Sequence, residues 1–335
     1  MIERLVLIPP VRKLSSALFH YRSNAWRWST AFRNGREVKI DRPIFLLGTQ
    51  NGGLTLLSRI LHRHPNAISV SGDHRYWAGE DEAQNALSEI LPEDFGWRRV
   101  DLPAFPSTNH GWVYGTDAFL PYYRRRASEV DPAVAMRYRR ILQGIIRQHG
   151  GDRSVRLIDK SQTLTVRVGA VQKALSESTP RFVLISRNPW AVIWSQATRN
   201  GVVRRLNLPV EDKVRLCAEH WSNSMRAALE DADADPGIRL RHWRFEALLD
   251  NPEQIVSEIC NFCGLEYAHG ILPAKKDRIH LGARYDAYNK RKWYPLRPDV
   301  NTQYLSEVSN EALKIVTKHC GELAERMGYE VPQPK

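Results

Sequence analysis

The stretch Pro43-Ile44-Phe45-Leu46-Leu47-Gly48-Thr49-Gln50-Asn51-Gly52-Gly53-Leu54-Thr55 decides the fold. Its first six residues form a short apolar run, which reads as a strand buried on both faces. Glycines follow. Then Leu54, Leu57 and Leu61, with Leu56 and Ile60, recur at helical spacing, so a helix is predicted over about 53–64, stopped by Pro65. A buried strand, a glycine turn and a helix N-terminus together make an anion site. The glycines let the backbone approach closely, and unpaired N–H groups and the helix dipole face the ligand. Thr49, Gln50, Asn51, Gly52, Gly53, Leu54 and Thr55 are therefore the candidate phosphate-binding residues. The spacing GxxxxGxT fits a P-loop outline, but Leu54 stands where the Walker lysine would be, which argues against a magnesium–nucleotide kinase or hydrolase.

Outward from this stretch, strands are predicted at 67–71, 155–159, 181–186 and 238–243. Helices are predicted at 131–148, 165–176, from Pro189 onward, and at 211–231 and 309–327. Asp250 reads as the N-cap of a further helix with Pro252 in its first turn and Gly264 past its end. Strands alternating with helices imply an α/β fold: a mainly parallel sheet flanked by helices on both faces. The expected organisation is a basic N-terminal extension (1–40), packed on or beside the core, and one α/β domain (41–330) with an acceptor-side insertion at about 72–150.

A second anion cluster is visible at Ser186-Arg187-Asn188-Pro189 through Ser195. Arg187 ends a predicted strand, so it projects from the sheet edge where α/β folds bind ligands. Ser195 lies about two helical turns further on. A guanidinium and a hydroxyl converging there suit a phosphate; a salt bridge for Arg187 and a solvent-facing Ser195 are the alternative.

The 335 residues carry 49 Lys+Arg against 37 Asp+Glu, a net charge of +12. That balance admits nucleic acid, an anionic membrane surface or a polyanionic small molecule. No nucleic-acid recognition motif is present, so a small polyanion is expected instead. The N-terminal apolar run is broken by Pro9-Pro10 and reads poorly as a signal peptide, and no run approaches the ~18 apolar residues of a membrane span. The basic, aromatic residues 1–40 could still touch a membrane surface. Four scattered cysteines fit a reducing compartment, so a cytoplasmic location is expected. Cys260 and Cys263 lack a second pair, so no metal is expected.

These segments resemble the sulfotransferases that use 3′-phosphoadenosine 5′-phosphosulfate (PAPS) and release adenosine 3′,5′-bisphosphate (PAP). Arg187, Pro189 and Ser195 match the R-[ND]-P-x-x-x-x-x-S segment that holds the 3′-phosphate in that family. The stretch from Arg244 to Pro252 resembles its RYEDLLxDP segment, and Lys292-Trp293-Tyr294-Pro295-Leu296 with Asn301 and Tyr304-Leu305 resembles its C-terminal segment. The resemblance implies a P-loop-like sulfotransferase fold. It implies sulfuryl transfer to a hydroxyl or amine of a small-molecule, carbohydrate or lipid acceptor, without a metal. It also implies that the basic run Lys290-Arg291-Lys292 closes over the 3′-phosphate.

One departure stands out. The family carries Lys or Arg in the first loop where this chain has Asn51. A donor that stabilises charge developing in a transition state is worth about 3–4 kcal/mol of barrier. Lys160, at the end of the predicted strand 155–159, is the candidate to replace it. A catalytically weak PAPS- or PAP-binding protein is the alternative. The acceptor's base is expected at Asp73, favoured by position in the family, or at His74, favoured by its intrinsic pKa; Glu80, Glu82 and His110 are further candidates. Glu246 is expected to orient loop amides or a neighbouring arginine. The aromatics and cations of 96–126 could line an acceptor pocket or pack on the sheet.

Overall fold

A computed structural model describes residues 38–70, 81–98, 100, 113–150, 154–200, 203–272 and 301–332. Asp73, His74, His110, Lys290, Arg291, Lys292 and the N-terminal extension up to residue 37 lie outside the described residues.

Five strands form one sheet: β1 (Ile44–Leu47), β2 (Ala67–Ile68), β3 (Arg156–Asp159), β4 (Arg181–Ser186) and β5 (Arg239–Arg244). Their order is β2-β3-β1-β4-β5 and every pairing is parallel. The helices are α1 (Leu54–Leu61), α2 (Ala83–Ala86), α3 (Leu120–Tyr123), α4 (Pro132–Gly150), α5 (Val168–Ala174), α6 (Pro189–Ser195), α7 (Val210–Ala234), α8 (Phe245–Asp250), α9 (Pro252–Phe262), α10 (Thr302–Glu307) and α11 (Asn310–Arg326).

Strand side chains alternate between the two faces of the sheet. On β1, Phe45 and Leu47 join Phe182 and Leu184 of β4 in a core that includes α4, α5, α6, α7 and α11. Ile44 and Leu46 join Val183 and Ile185 on the opposite face, against α1, α8 and α9. This double burial is why both strands read as unbroken apolar runs. A fully buried Leu, Ile or Phe contributes roughly 1.5–3 kcal/mol, so the central strands are the most strongly specified part of the chain.

Most elements lie where the sequence pattern puts them; three differ. Asp250 is the last residue of α8, and Asn251 occupies the cap position of α9. The predicted strand at 67–71 is paired only over two residues. The predicted helix at 165–176 is a 3-10 turn (Gln162–Val166) followed by α5. The 3-10 turn brings the Thr165 hydroxyl onto Gly48, where a side-chain contact outweighs regular helical spacing.

The C-terminal end of α3 is tied to α7 by Arg124 and Asp231. The pair is bidentate, at 2.7 and 2.6 Å, and Asp231 also accepts the Gly169 N–H at 2.7 Å. Both residues are buried. Removing one partner strands a buried charge, so Asp231→Ala should lower the unfolding free energy by about 3–5 kcal/mol. Denaturant titration measures this; a loss under ~1 kcal/mol would mean that the site rehydrates freely.

Candidate functional site

β1 and β4 are neighbours with Leu47 level with Leu184, so the loops leaving their carboxyl ends open side by side. The first loop is locked from below. Gly48 N–H donates to the Thr165 hydroxyl at 2.9 Å, that hydroxyl donates to the Gly48 carbonyl at 3.2 Å, and the Tyr114 hydroxyl reaches the same carbonyl at 3.4 Å. A Cβ on Gly48 would stand 2.5 Å from the Ile185 carbonyl oxygen, and one on Gly53 would stand 2.0 Å from the Phe245 ring. Gly53 also has φ +96°, in the region that favours glycine. Asn51 has φ +57°, which Asn tolerates better than most residues. α1 then starts with no side-chain cap and no acidic residue in its first turn. Its first turn thus carries no carboxylate of its own to offset the helix dipole.

The second loop meets the first directly. The Arg187 Nη1 donates to the Asn51 carbonyl at 3.0 Å, and its Nε donates to Asn301 Oδ1 at 2.8 Å. The guanidinium also lies over two rings, Phe245 at 5.7 Å and Tyr304 at 5.5 Å. Burial lowers the Arg187 pKa against the opposing influence of Tyr304 and Glu246. α6 is opened by Asn188, whose side chain accepts the Ala191 N–H, with Pro189 in the first turn. Ser195 is its last residue and is buried. The helix then widens to a π-helical turn (Gln196–Asn200), from which the Gln196 amide donates to the Gln50 carbonyl at 2.5 Å. Arg199 pairs with Glu307 and lies 5.7 Å from the Tyr304 ring, so Arg187 and Arg199 share one aromatic neighbour.

Glu246 is a hydrogen-bond acceptor for three groups around the second loop. It accepts the Asn188 N–H at 2.9 Å, the Asn301 amide, and the Tyr329 hydroxyl at 3.2 Å. The expectation that it orients loop groups holds at the level of these contacts.

Lys160 is buried at the end of β3. Its ammonium lies 2.6 Å from Glu82 and 3.4 Å from Asp81, and it does not pair with Asp159. Burial would lower the Lys160 pKa, but the two carboxylates push it above the ordinary lysine value. Glu82 also accepts the side-chain amides of Gln84 and Asn85, at 2.7 and 3.0 Å. Burial would raise the Asp81 pKa, but Lys160 and Arg59 hold it well below the carboxylate range. Asp81 also accepts the Ser58 hydroxyl of α1 at 2.6 Å. Asp159 accepts Ser161 and Ala83 N–H groups, yet burial pushes it up to about 6.

Sequence pattern did not single out Thr165, Tyr114, Asp81 or Gln196. Each reaches the site across a long chain separation that no local periodicity records. Of the aromatics in 96–126, Tyr114, Phe119 and Tyr123 are core residues. The four cysteines are buried thiols, and among the described residues no group of His, Cys, Asp and Glu could hold a metal ion. Among the described residues no helix is long and apolar enough to cross a membrane.

Comparison with known proteins agrees with this geometry. The model of a sulfotransferase family matches residues 43–269. The chain belongs to the sulfotransferase family. An inferred protein-tyrosine sulfotransferase of Caenorhabditis briggsae is 24% identical over 232 residues, 69% of each chain. Two solved structures share the fold. One is a sulfotransferase domain from the curacin biosynthetic pathway, with TM-score 0.51, 15% identity, and coverage of 88% of this chain and 100% of that one. The other is sulfotransferase STF9 from Mycobacterium avium, with TM-score 0.51, 14% identity, and coverage of 88% and 79%. The five-stranded parallel sheet with helices on both faces is thus the P-loop-like α/β fold of sulfotransferases.

The buried histidines give the fold a pH signature. Burial lowers His62 to about 4, with Arg59 and Lys160 adding to it against Asp81. Burial also lowers His220 to about 3, and burial with Arg244 lowers His242 to about 4. All three start from 6.5. A lowered histidine contributes stability that is complete above 6.5 and lost as pH falls, because the unfolded chain takes up the proton first. Asp159, raised from 3.8 to about 6, acts oppositely, since its contribution is lost as pH rises through that window. Three groups outweigh one. The unfolding free energy should therefore rise from pH 4.5 to 6.5, by up to about 1.4 kcal/mol per unit for each extra proton on the unfolded chain. His62→Gln should flatten the rise in urea titrations at several pH values; an unchanged slope contradicts the assignment.

Proposed function

We propose that the protein transfers the sulfuryl group of PAPS to a hydroxyl or amine of a small-molecule, carbohydrate or lipid acceptor in the cytoplasm, releasing PAP. The observation that carries this reading is the Arg187–Asn51 hydrogen bond, which puts a strand-tip guanidinium against the carbonyl of a glycine loop. Two anion-binding loops that touch one another suit one small molecule with phosphate groups at two ends.

The residues fit such a group. Glycines at 48 and 53 keep the first loop at spacings that a Cβ would fill. Among the described residues, Gln50 Nε2 is buried without a partner in the same loop. On this reading Thr49 to Thr55, with the N-terminus of α1, hold the 5′-phosphosulfate, and Arg187 and Ser195 hold the 3′-phosphate. Lys290, Arg291 and Lys292 remain proposed on the resemblance alone. When bound, PAPS supplies an activated sulfuryl group on a good leaving group. The protein must place the acceptor in line, remove its proton and neutralise charge on the departing oxygen.

Asp73 or His74 is the proposed base. Lys160 is the proposed replacement for the cation absent at Asn51, held ready and protonated by Glu82 and Asp81. A catalytically weak PAP-binding protein is the second reading, favoured by Asn51 and by the carboxylates that already occupy Lys160.

PAP should raise the melting temperature in a thermal-shift assay, and magnesium–ATP should do so far less. Arg187→Ala should weaken PAP by roughly ten- to a hundredfold, the worth of a charge-assisted hydrogen bond. Stabilisation by magnesium–ATP alone would overturn the assignment.

Turnover separates the two readings. With labelled PAPS and a panel of sugars, lipids, phenols and a tyrosine-bearing peptide, Lys160→Ala should lower transfer by about a hundredfold or more. It should leave PAP affinity within threefold of the parent. Unchanged transfer would remove Lys160 from the chemistry, and no transfer by the parent chain would favour the binding-protein reading.

A further inference from the structure

Two edges of the Arg187 guanidinium have observed partners, and the side chain that holds Nε is an amide. Nε donates to Asn301 Oδ1, Nη1 donates to the Asn51 carbonyl, and Phe245 and Tyr304 lie over the guanidinium. An asparagine amide can present either its oxygen or its NH2, and only the oxygen can accept from a guanidinium. Glu246 settles the choice by accepting the Asn301 Nδ2. The same Glu246 oxygen takes the Asn188 N–H, and its other oxygen takes the Tyr329 hydroxyl, which in turn meets Ser186 at 2.7 Å. Ser186 meets His242 at 2.6 Å. A partly buried polar chain from β5 through the C-terminal segment thus ends on one asparagine oxygen.

Glu246 acts on Arg187 through a neutral spacer. A carboxylate in direct contact would orient the guanidinium equally well but would cancel much of its charge, and a phosphate would then have to displace it. The amide orients without neutralising. We propose that Asn301, with its amide set by Glu246, is a positioning residue that keeps Arg187 aimed and positively charged, and that this pair sets the preference for a nucleotide bearing a 3′-phosphate over one lacking it. The inference rests on the reading that Arg187 holds that phosphate, and neither Asn301 nor Glu246 touches the nucleotide in it.

The test measures calorimetric binding of PAP and of adenosine 5′-phosphate, which lacks the 3′-phosphate, to the full-length protein and its variants. Asn301→Asp places a carboxylate where the amide oxygen was. It should weaken PAP by tenfold or more and leave adenosine 5′-phosphate within threefold. Asn301→Ser, which removes the amide without adding charge, should weaken PAP by three- to tenfold and serves if the aspartate variant does not fold. In an Arg187→Gln background, Asn301→Asp should have little further effect on PAP, because its target is gone. A purely structural role would instead lower both nucleotides together and add to Arg187→Gln. Equal losses for the two nucleotides, or full PAP affinity in both Asn301 variants, overturns the proposal while the nucleotide assignment stands. If the parent protein binds both nucleotides equally, the 3′-phosphate reading falls and this inference falls with it.

Discussion

The contact between Arg187 and the Asn51 carbonyl is the constraint around which the rest of the site is arranged. It can form only because β1 and β4 are adjacent and in register, which brings the two loop starts to one edge of the sheet. It survives burial only because the guanidinium has polar partners at its edges and two aromatic rings beside it. A buried cation without such contacts would be strongly unfavourable. Here the protein meets those needs with the Asn51 carbonyl, the Asn301 amide and two aromatic rings. Those contacts hold the guanidinium in place.

Lys160 shows the opposite arrangement. It too ends a strand and is buried, but two carboxylates hold it directly. The two cations at the edge of the sheet thus differ in electrostatic character: Arg187 is oriented through neutral groups and Lys160 is ion-paired. On the proposed function this difference matches two tasks. A phosphate that binds statically is met by a guanidinium held by the Asn301 amide and the Asn51 carbonyl. A sulfuryl group whose leaving oxygen gains charge only transiently is met by a charge stored on a network with Asp81, Glu82 and Ser58.

The glycine loop and the Arg187 cluster were legible from residue pattern because each is local. A strand, a turn and a helix start fall within about a dozen residues, and apolar runs and glycines mark them. The strands β1, β3, β4 and β5 and the long helices α4, α7 and α11 followed from periodicity for the same reason. The capping of α9 was misplaced by one residue, since Asp250 and Asn251 are both competent caps and only the break after α8 separates them. The 3-10 turn before α5 was not visible, because its backbone is set by Thr165 bonding Gly48 across 117 positions.

By itself the sequence determined the layered parallel sheet, the glycine loop after β1, and the arginine at the tip of β4, because burial on two faces and backbone sterics leave direct marks on residue order. The tertiary structure alone decided which cations are paired and which are spaced by amides, and that Asn301, Glu246 and Tyr329 belong to the arginine's surroundings. Those facts depend on distances of a few ångströms between residues dozens to more than a hundred positions apart, and hydrogen-bond direction and charge neutralisation are fixed at that range and at no longer one.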